Sequence, residues 1–350
     1  MPKYPIVQNL FLLQTGGTIG STISGSTIDV NAQMHDALIT AYQQIAPRPV
    51  HFDTCRPFTI LSENAVPAHW SEMIDVLKHV NFNNYKGIIV THGSDTLPYT
   101  AAALSYFFAS TPIPIVLVCA NHPLGHPKSN ALPNFRLAVD FILTSGLPGV
   151  FAVYQNHDGN TKIHIGTRLL EADWIYDDFE SFGSKPFALD DGHCLSRGAA
   201  TLNPTAEALK QRPHGTDWPS TPVFNNDVLA LRAYPGLDYR YVQIKAPAPK
   251  AVLHSLYHCG SGNIAGPDTC SLSAFIQDNP QCDHYLISYK HTDGALYASC
   301  HELLEAGGRP LKNISFEAAL VKLYFAYNQS TISPQAYMEQ SLFFEHLNEE

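Results

Sequence analysis

The feature that most constrains this chain is a regular alternation, in its first half, of short apolar runs with longer amphipathic stretches. Residues 9–13, 87–90 and 113–119 are mainly apolar and have the length of strands. Between them, residues 67–80 and 99–109 carry apolar side chains at helical spacing. Strands that are apolar throughout are typical of parallel sheets covered by helices on both faces. The pattern therefore predicts an α/β fold.

The same rhythm continues through a predicted helix over 134–143 and a hairpin formed by 150–154 and 162–165. It then fades over residues 191–222, where glycine and proline are frequent. Afterwards the predicted strands are 228–233, 251–256 and 284–287, and the predicted helices are 270–277, 316–327 and 334–347. Because 350 residues exceed the size at which one core usually stops growing, we expect two domains. We place a larger N-terminal α/β sheet domain at 1–190, a linker at 191–222 and a smaller C-terminal α/β domain at 223–350.

Composition and charge argue against several classes of protein. The formal net charge is −10 and no lysine- or arginine-rich run occurs, which argues against binding of nucleic acid. No apolar run reaches the roughly 18 residues of a membrane span, and the N-terminus lacks the apolar core of a signal peptide. The seven cysteines are scattered singly, which indicates reduced thiols. We therefore expect a cytoplasmic protein that binds neither nucleic acid nor a membrane.

Two unusually polar loops follow predicted strands, and the first is TGGTIG at residues 15–20. It lacks the Gly-Lys-Ser/Thr ending of a P-loop and does not match GxGxxG, so a common phosphate cradle is excluded. Its glycines let a substrate approach the backbone closely and leave N–H groups free to bind an oxyanion. Thr18 supplies a hydroxyl beside them. The alternative is a tight turn in which Thr18 caps a helix.

The second loop is THGSDT at residues 91–96. A Ser-His-Asp triad within it is improbable, because adjacent residues cannot align a base with a nucleophile. Asp95 beside Ser94 is better suited to binding an ammonium group and a water or hydroxyl. The alternative is an N-cap for the helix that starts near Pro98. Because ligand sites in α/β sheets lie beyond the carboxyl ends of the strands, we expect the two loops to share one site.

Together the two motifs are more specific than either alone. TGGTI after a strand, followed later by HGSDT after another strand, resembles the L-asparaginase/glutaminase family and most closely its cytoplasmic type I branch. The segment PFTILSENAVPAHW at 57–70 resembles the substrate-binding segment of that family. The similarity is strong over 9–140 and looser over 150–180 and 225–330.

The resemblance implies hydrolysis of the side-chain amide of L-asparagine to L-aspartate and ammonia, without a metal or organic cofactor. It implies that Thr18 is the nucleophile and that Ser94 orients the attacking group. Ser62 and Glu63 would hold the α-groups of the amino acid, and Asp95 would bind its α-ammonium group. The resemblance also implies a flavodoxin-like C-terminal domain. Family members form homodimers or homotetramers in which a neighbouring C-terminal domain closes each site.

Three positions depart from the family pattern. Ser94 replaces a threonine but retains the hydroxyl. Thr27 aligns with a tyrosine that helps to activate the nucleophile, and Glu171 aligns with a lysine that pairs with the hydroxyl of the second loop. Lys162 and Lys185 are nearby in the sequence as possible substitutes for that lysine.

These departures leave two alternatives to a working asparaginase. One is an amidohydrolase that acts on a different small amide, and the other is a non-catalytic protein that binds aspartate or asparagine. A metal site is a weaker hypothesis. His254 and His258 have the spacing of zinc ligands on a helix, but residues 251–256 are predicted to be a strand.

Overall fold

A computed structural model describes residues 7–24, 27–30, 32–46, 48–190, 195–196, 202–211, 218, 220–265, 270–289 and 296–347. The side chains are described over the same residues except 23–24, 27–30, 32–35, 195 and 288–289. The chain divides into two compact units, of which the first is Met1–Thr221 with Leu342–Phe344 and the second is Pro222–Ser341 with Glu345–Glu350. Within the described residues, we find no helix with both the length and the apolar character that crossing a bilayer requires.

The first unit is built on a twisted sheet of mixed direction. Its strands are β1 (Gln8–Gln14), β2 (Ser21–Ser24), β3 (Thr27–Val30), β4 (Val50–Cys55), β5 (Ile88–Thr91), β6 (Pro114–Val118), β7 (Gly149–Gln155), β8 (Thr161–Ile165), β9 (Ala188–Asp190) and β10 (Leu195–Ser196). The order in the main sheet is β10-β9-β8-β7-β6-β5-β1-β4, and β2 pairs with β3 separately. Strands β4, β1, β5, β6 and β7 are parallel to one another, whereas the pairings β7–β8, β8–β9 and β9–β10 are each antiparallel.

Helices pack on this sheet through their apolar side chains. They are α1 (Ala32–Ile45), α2 (Pro67–Lys78), α3 (Leu97–Phe107), α4 (Ala131–Ser145) and α5 (Ala206–Lys210). Helix α2 buries Trp70, Met73, Ile74 and Leu77 on one face. Helix α3 is buried on almost every side, so it lies within the core of the unit.

The second unit is a smaller parallel α/β layer. Its strands β11 (Val228–Arg232), β12 (Ala251–Ser255), β13 (Asp283–Tyr289) and β14 (Arg309–Lys312) pair in sequence order. Its helices are α6 (Leu272–Asp278), α7 (Ala298–Glu305), α8 (Phe316–Asn328) and α9 (Pro334–Glu339). The two α/β units confirm the predicted fold class. The stretch predicted as a linker holds β10 and α5, which group with the first unit.

The predicted helix over 334–347 is too long, because α9 ends at Glu339 and the chain is extended at Gln340. The carbonyls that follow bond to other elements instead of continuing a helix. In the first unit, Thr167 Oγ1 donates to the Phe343 carbonyl at 2.7 Å and Arg168 Nε donates to the Phe344 carbonyl at 2.6 Å. The Phe343 ring also occupies the space beside Gly149, where a Cβ would lie 2.8 Å from the ring.

A buried ion pair holds the chain end in the second unit. Lys322 of α8 and Glu345 are both inaccessible to solvent, and their charged atoms lie 2.8 Å apart. The ammonium group also donates to the carbonyls of Met338, at 3.0 Å, and Gln340. Burial lowers the pKa of Lys322, whereas the Glu345 carboxylate opposes that shift. Since these three oxygen atoms and His346 Nε2, at 3.2 Å, surround the ammonium group, its desolvation is offset.

Two buried histidines form a hydrogen-bonded pair within the sheet of the second unit. His284 Nε2 lies 3.0 Å from the Asn279 carbonyl, and His284 Nδ1 lies 3.0 Å from His254 Nε2. A carbonyl can only accept, so in the neutral pair His284 donates from Nε2 and His254 donates to His284 Nδ1. Burial, and to a smaller extent the neighbouring His284, lowers the pKa of His254 to about 3.

This pair predicts a loss of stability in acid. The unfolded chain binds a proton at His254 below its ordinary pKa of about 6.5, whereas the folded chain does so only near pH 3. Stability should therefore fall as the pH drops through this window and be insensitive to His254 above it. His254→Gln keeps a donor toward His284 but cannot titrate. It should reduce the slope of unfolding free energy between pH 6.5 and 4.5 by up to about 1.4 kcal/mol per pH unit. Urea unfolding at several pH values measures this slope, and an unchanged slope contradicts the assignment.

Candidate active site

The two polar loops leave the same edge of the sheet from neighbouring strands. Strands β1 and β5 are parallel and adjacent, with Gln14 opposite Thr91. Thr15 continues this pairing, because its N–H and its hydroxyl both donate to the Thr91 carbonyl, at 3.2 and 2.8 Å. The loops at 15–20 and 92–96 therefore begin level with each other.

Direct backbone contact joins the two loops. A Cβ built on Gly17 would lie 2.3 Å from the Gly93 nitrogen and 2.4 Å from its Cα, so no side chain fits at position 17. Gly17 also has a φ of 75°, which L-residues rarely adopt. Gly93 in turn approaches Ser62, since a Cβ there would lie 2.4 Å from both Cβ and Oγ of the serine. The glycines therefore bring three segments of the chain together.

The third segment, residues 60–63, docks on the first loop through its backbone. Ile60 N donates to the Thr15 carbonyl at 3.1 Å, and Gly17 N donates to the Ile60 carbonyl at 3.0 Å. The pairing forms an isolated parallel bridge between Gly16 and Ile60. No side-chain pattern in the sequence signals this bridge, since it uses backbone groups alone.

Ser62 and Asp95 meet at this junction. Ser62 is buried, and its hydroxyl donates to Asp95 Oδ2 at 3.0 Å. Thr96 Oγ1 donates to the Ser62 carbonyl at 3.0 Å, which ties the second loop to the third segment again. Asp95 and Glu63 are exposed, so both carboxylates remain open to a ligand. Three of the predicted binding residues thus lie at one place, and Glu63 adjoins Ser62 in a single 3₁₀ turn, Ser62–Asn64.

Thr18 and Ser94 directly follow the two contacting glycines. Thr18 opens a 3₁₀ turn, Thr18–Gly20, and both residues are partly buried. In the described part of the chain, neither hydroxyl has a hydrogen-bond partner. The turn is held by Ser21, whose hydroxyl donates to the Gly17 carbonyl at 2.8 Å. The two hydroxyls are therefore available to a ligand.

His92 belongs to the second loop, but its ring is buried and does not open on the site. It is buried, its Nδ1 lies 2.8 Å from the Gly93 carbonyl, and its Nε2 lies 3.0 Å from Thr100 Oγ1. Burial lowers its pKa to about 4. A neutral ring whose two nitrogens are both engaged is unsuited to act as the base for Thr18.

The structure places the residues that depart from the family pattern in different surroundings. The Glu171 carboxylate accepts a hydrogen bond from Tyr99 OH of α3 at 2.5 Å. Lys162 is unavailable as a substitute for the missing lysine, because it pairs with Glu180. The backbone at Thr27 falls in β3, but its side chain lies outside the described residues.

The metal hypothesis finds no geometric support in the described ranges. No group of three His, Cys, Asp or Glu side chains is placed there so that it could hold an ion. His254 lies in β12, as predicted, and its Nε2 faces His284 instead of His258.

Comparison with known proteins places this site in context. The family model described as "Asparaginase, N-terminal" matches residues 9–210. One component of the glutamyl-tRNA(Gln) amidotransferase of Methanococcus maripaludis (strain C5) is 34% identical over 176 residues, which are 48% of this chain. The match spans only 40% of the length of that relative. The L-asparaginase of Thermococcus kodakarensis is 28% identical over 249 residues, which are 70% of each chain.

Solved structures share the fold over nearly the whole length. The thermostable L-asparaginase from Thermococcus kodakarensis has a TM-score of 0.77 at 24% identity and matches 98% of this chain and 100% of its own. L-asparaginase I from Vibrio cholerae has a TM-score of 0.78 at 21% identity, with 98% and 100% covered.

The contact between the loops can be tested with two matched glycine substitutions. Gly17→Ala adds a methyl group against the Gly93 backbone, whereas Gly159→Ala adds one at a similar φ of 83° with nothing within 4 Å. Both positions have a positive φ, so both variants carry backbone strain of about 1–3 kcal/mol, but only the first adds a clash. We expect Gly17→Ala to lose at least about 2 kcal/mol of unfolding free energy, and more than Gly159→Ala, since overpacking adds about 1–3 kcal/mol. Equal losses in urea unfolding would show that the loops do not touch.

Proposed function

The chain belongs to the asparaginase family, and from this premise we propose that it is an amidohydrolase that converts L-asparagine to L-aspartate and ammonia. One observation carries the proposal. Thr18 and Ser94, whose hydroxyls have no hydrogen-bond partner among the described residues, follow glycines that are in backbone contact, and the Ser62–Asp95 pair lies against the same junction. Such a site offers a nucleophile and a charged anchor within the reach of one small zwitterion.

In the proposed reaction Thr18 Oγ attacks the side-chain amide carbon. The carbon–nitrogen bond breaks, the hydroxyl proton leaves with the nitrogen as ammonia, and the aspartyl group remains as an ester on Thr18. Water then hydrolyses this ester and restores the hydroxyl. A threonine hydroxyl is a weak nucleophile and needs a base or a relay. Ser94 is our candidate for orienting the attacking groups, since its hydroxyl is uncommitted.

Substrate binding would use the carboxylates at the junction. Asp95 suits the α-ammonium group, and its hydrogen bond from Ser62 fixes the direction of its free oxygen. Glu63 adds a second negative charge at the same end. Holding both ends of a small substrate can contribute roughly 7–11 kcal/mol through orientation. We further propose a cytoplasmic homodimer or homotetramer.

The second candidate is a divergent family member, and Glu171 favours it. The Glu171 carboxylate accepts a hydrogen bond from Tyr99. Tyr99 lies in the first turn of α3, which begins shortly after Asp95. A carboxylate there, in place of the lysine of the family pattern, would present a substrate with a negative instead of a positive charge. A divergent protein would act on another small amide, or it would bind aspartate or asparagine without turnover. The match to an amidotransferase component also leaves room for a different amide donor.

Removing the nucleophile tests the first proposal. Thr18→Ala should lower kcat for ammonia release from L-asparagine by at least about 1000-fold, because it removes the hydroxyl that forms the covalent ester. Thr18→Ser, the matched control, retains a hydroxyl and should keep measurable turnover. A coupled ammonia assay at saturating substrate measures both variants. Full activity in Thr18→Ala would rule out this nucleophile.

Ligand binding separates the candidates. For the asparaginase, we expect L-aspartate to raise the thermal midpoint of wild type and of Thr18→Ala alike, since the α-groups bind elsewhere. Asp95→Asn should abolish that shift by removing the ammonium partner. A screen of amino-acid amides then identifies the substrate. Stabilisation by aspartate without ammonia from any amide would support the binding protein and contradict the enzyme.

A further inference from the structure

A directional chain of buried hydrogen bonds ends at the contact between the loops. Trp70 Nε1 donates to Thr100 Oγ1 at 3.2 Å, and Thr100 Oγ1 lies 3.0 Å from His92 Nε2. His92 Nδ1 lies 2.8 Å from the Gly93 carbonyl. The three side chains come from α2, α3 and the second loop, and all are buried.

The partners at the two ends fix the proton on the imidazole. The Gly93 carbonyl can only accept, so Nδ1 of His92 must carry a proton. A neutral imidazole has one such proton, and therefore Nε2 accepts from the Thr100 hydroxyl. Thr100 can donate because its oxygen receives the Trp70 N–H. Every group in the chain thus has a defined role, and reversing one of them would leave a buried polar atom unpaired.

The orientation of one peptide follows from this arrangement. In a trans peptide the carbonyl and the next N–H point in opposite directions. Since the Gly93 carbonyl is held toward His92, the Ser94 N–H points away from the ring. In the described part of the chain this N–H has no acceptor. His92 is itself anchored, because its N–H donates to the Val118 carbonyl of β6 at 2.9 Å.

We propose that His92 is a positioning residue, fixed as its Nδ1–H tautomer by Trp70 and Thr100, which orients the Gly93–Ser94 peptide next to the His92–Gly93 peptide that contacts Gly17. This inference rests on the proposed function, because the peptide it fixes carries the Ser94 hydroxyl beside Thr18. His92 does not exchange protons with the substrate. Its effect is on turnover, through the geometry of the two hydroxyls.

Two substitutions at one position distinguish positioning from simple packing. The amide nitrogen of asparagine can occupy the place of Nδ1, and that of glutamine the place of Nε2. His92→Asn therefore keeps the donor to Gly93, whereas His92→Gln loses it. We expect His92→Gln to lower kcat by about tenfold or more, the effect of one misplaced hydrogen bond. KM should stay within about threefold in both variants, and His92→Asn should keep kcat within about threefold.

The rest of the chain supplies a rescue experiment. Thr100→Val removes the donor to Nε2 with little change of shape and should lower kcat, whereas Thr100→Ser restores the hydroxyl and should recover it. Thermal midpoints of all four variants report any general loss of packing. Equal kcat values for His92→Asn and His92→Gln at similar midpoints would overturn the proposal.

The tautomer can be read without any turnover. In protein labelled with ¹⁵N-histidine, the nitrogen chemical shifts show which ring nitrogen carries the proton, and the His92 signals are those missing in His92→Asn. We expect a protonated Nδ1 and a bare Nε2 at pH 7, with the order lost in Thr100→Val. A protonated Nε2 refutes the assignment. If the wild type hydrolyses no amide, the proposed function fails, and the aspartate Kd of the same variants then decides the positioning role.

Discussion

The architecture of the site depends on a place where two backbones touch. Gly17 and Gly93 leave no room for a side chain between them, so the distance between the first and second loops is set by peptide groups. Peptide groups are far stiffer than side chains, which rotate among staggered states. The register between β1 and β5 delivers both loops at the same level. Thr18 and Ser94, the pair that we propose as catalytic, each follow one of these glycines, so their backbone positions are fixed by the same contact.

The sequence predicts the parts of this arrangement that depend on local pattern. The apolar strands that became β1, β5 and β6, the helices α2 and α3, and the hairpin of β7 and β8 all follow from periodicity. Strand β4 is not predicted, because it lies at the edge of the sheet and its alternation of Val50 and Phe52 with polar residues stops at Asp53 and Thr54, which are both exposed. The bridge between Gly16 and Ile60 could not be predicted, because it is formed by backbone groups and does not depend on a pattern of side chains.

The polar residues of the site can likewise be predicted from the sequence only in part. Ser62, Glu63 and Asp95 can be singled out as a polar set, but only coordinates show that Ser62 directs its proton to Asp95. The structure gives His92 a different role from the one that its neighbours in the sequence suggest. An imidazole two residues before a serine suggests acid–base chemistry, whereas burial lowers the pKa of this ring and keeps it neutral. Tyr99 and Glu171 are far apart in the sequence, so local sequence patterns do not predict their hydrogen bond.

The return of residues Leu342–Phe344 to the first unit has a consequence for how the molecule is made. Thr167 Oγ1 and Arg168 Nε of the buried turn donate to carbonyls of this segment, which residues 222–341 of the second unit separate from the rest of the first. During synthesis the larger unit must therefore wait, with those donors and the space beside Gly149 unfilled, until the smaller one has been translated. Both units are thus completed only when the last residues, 342–350, have been made, although the first unit begins to be translated much earlier.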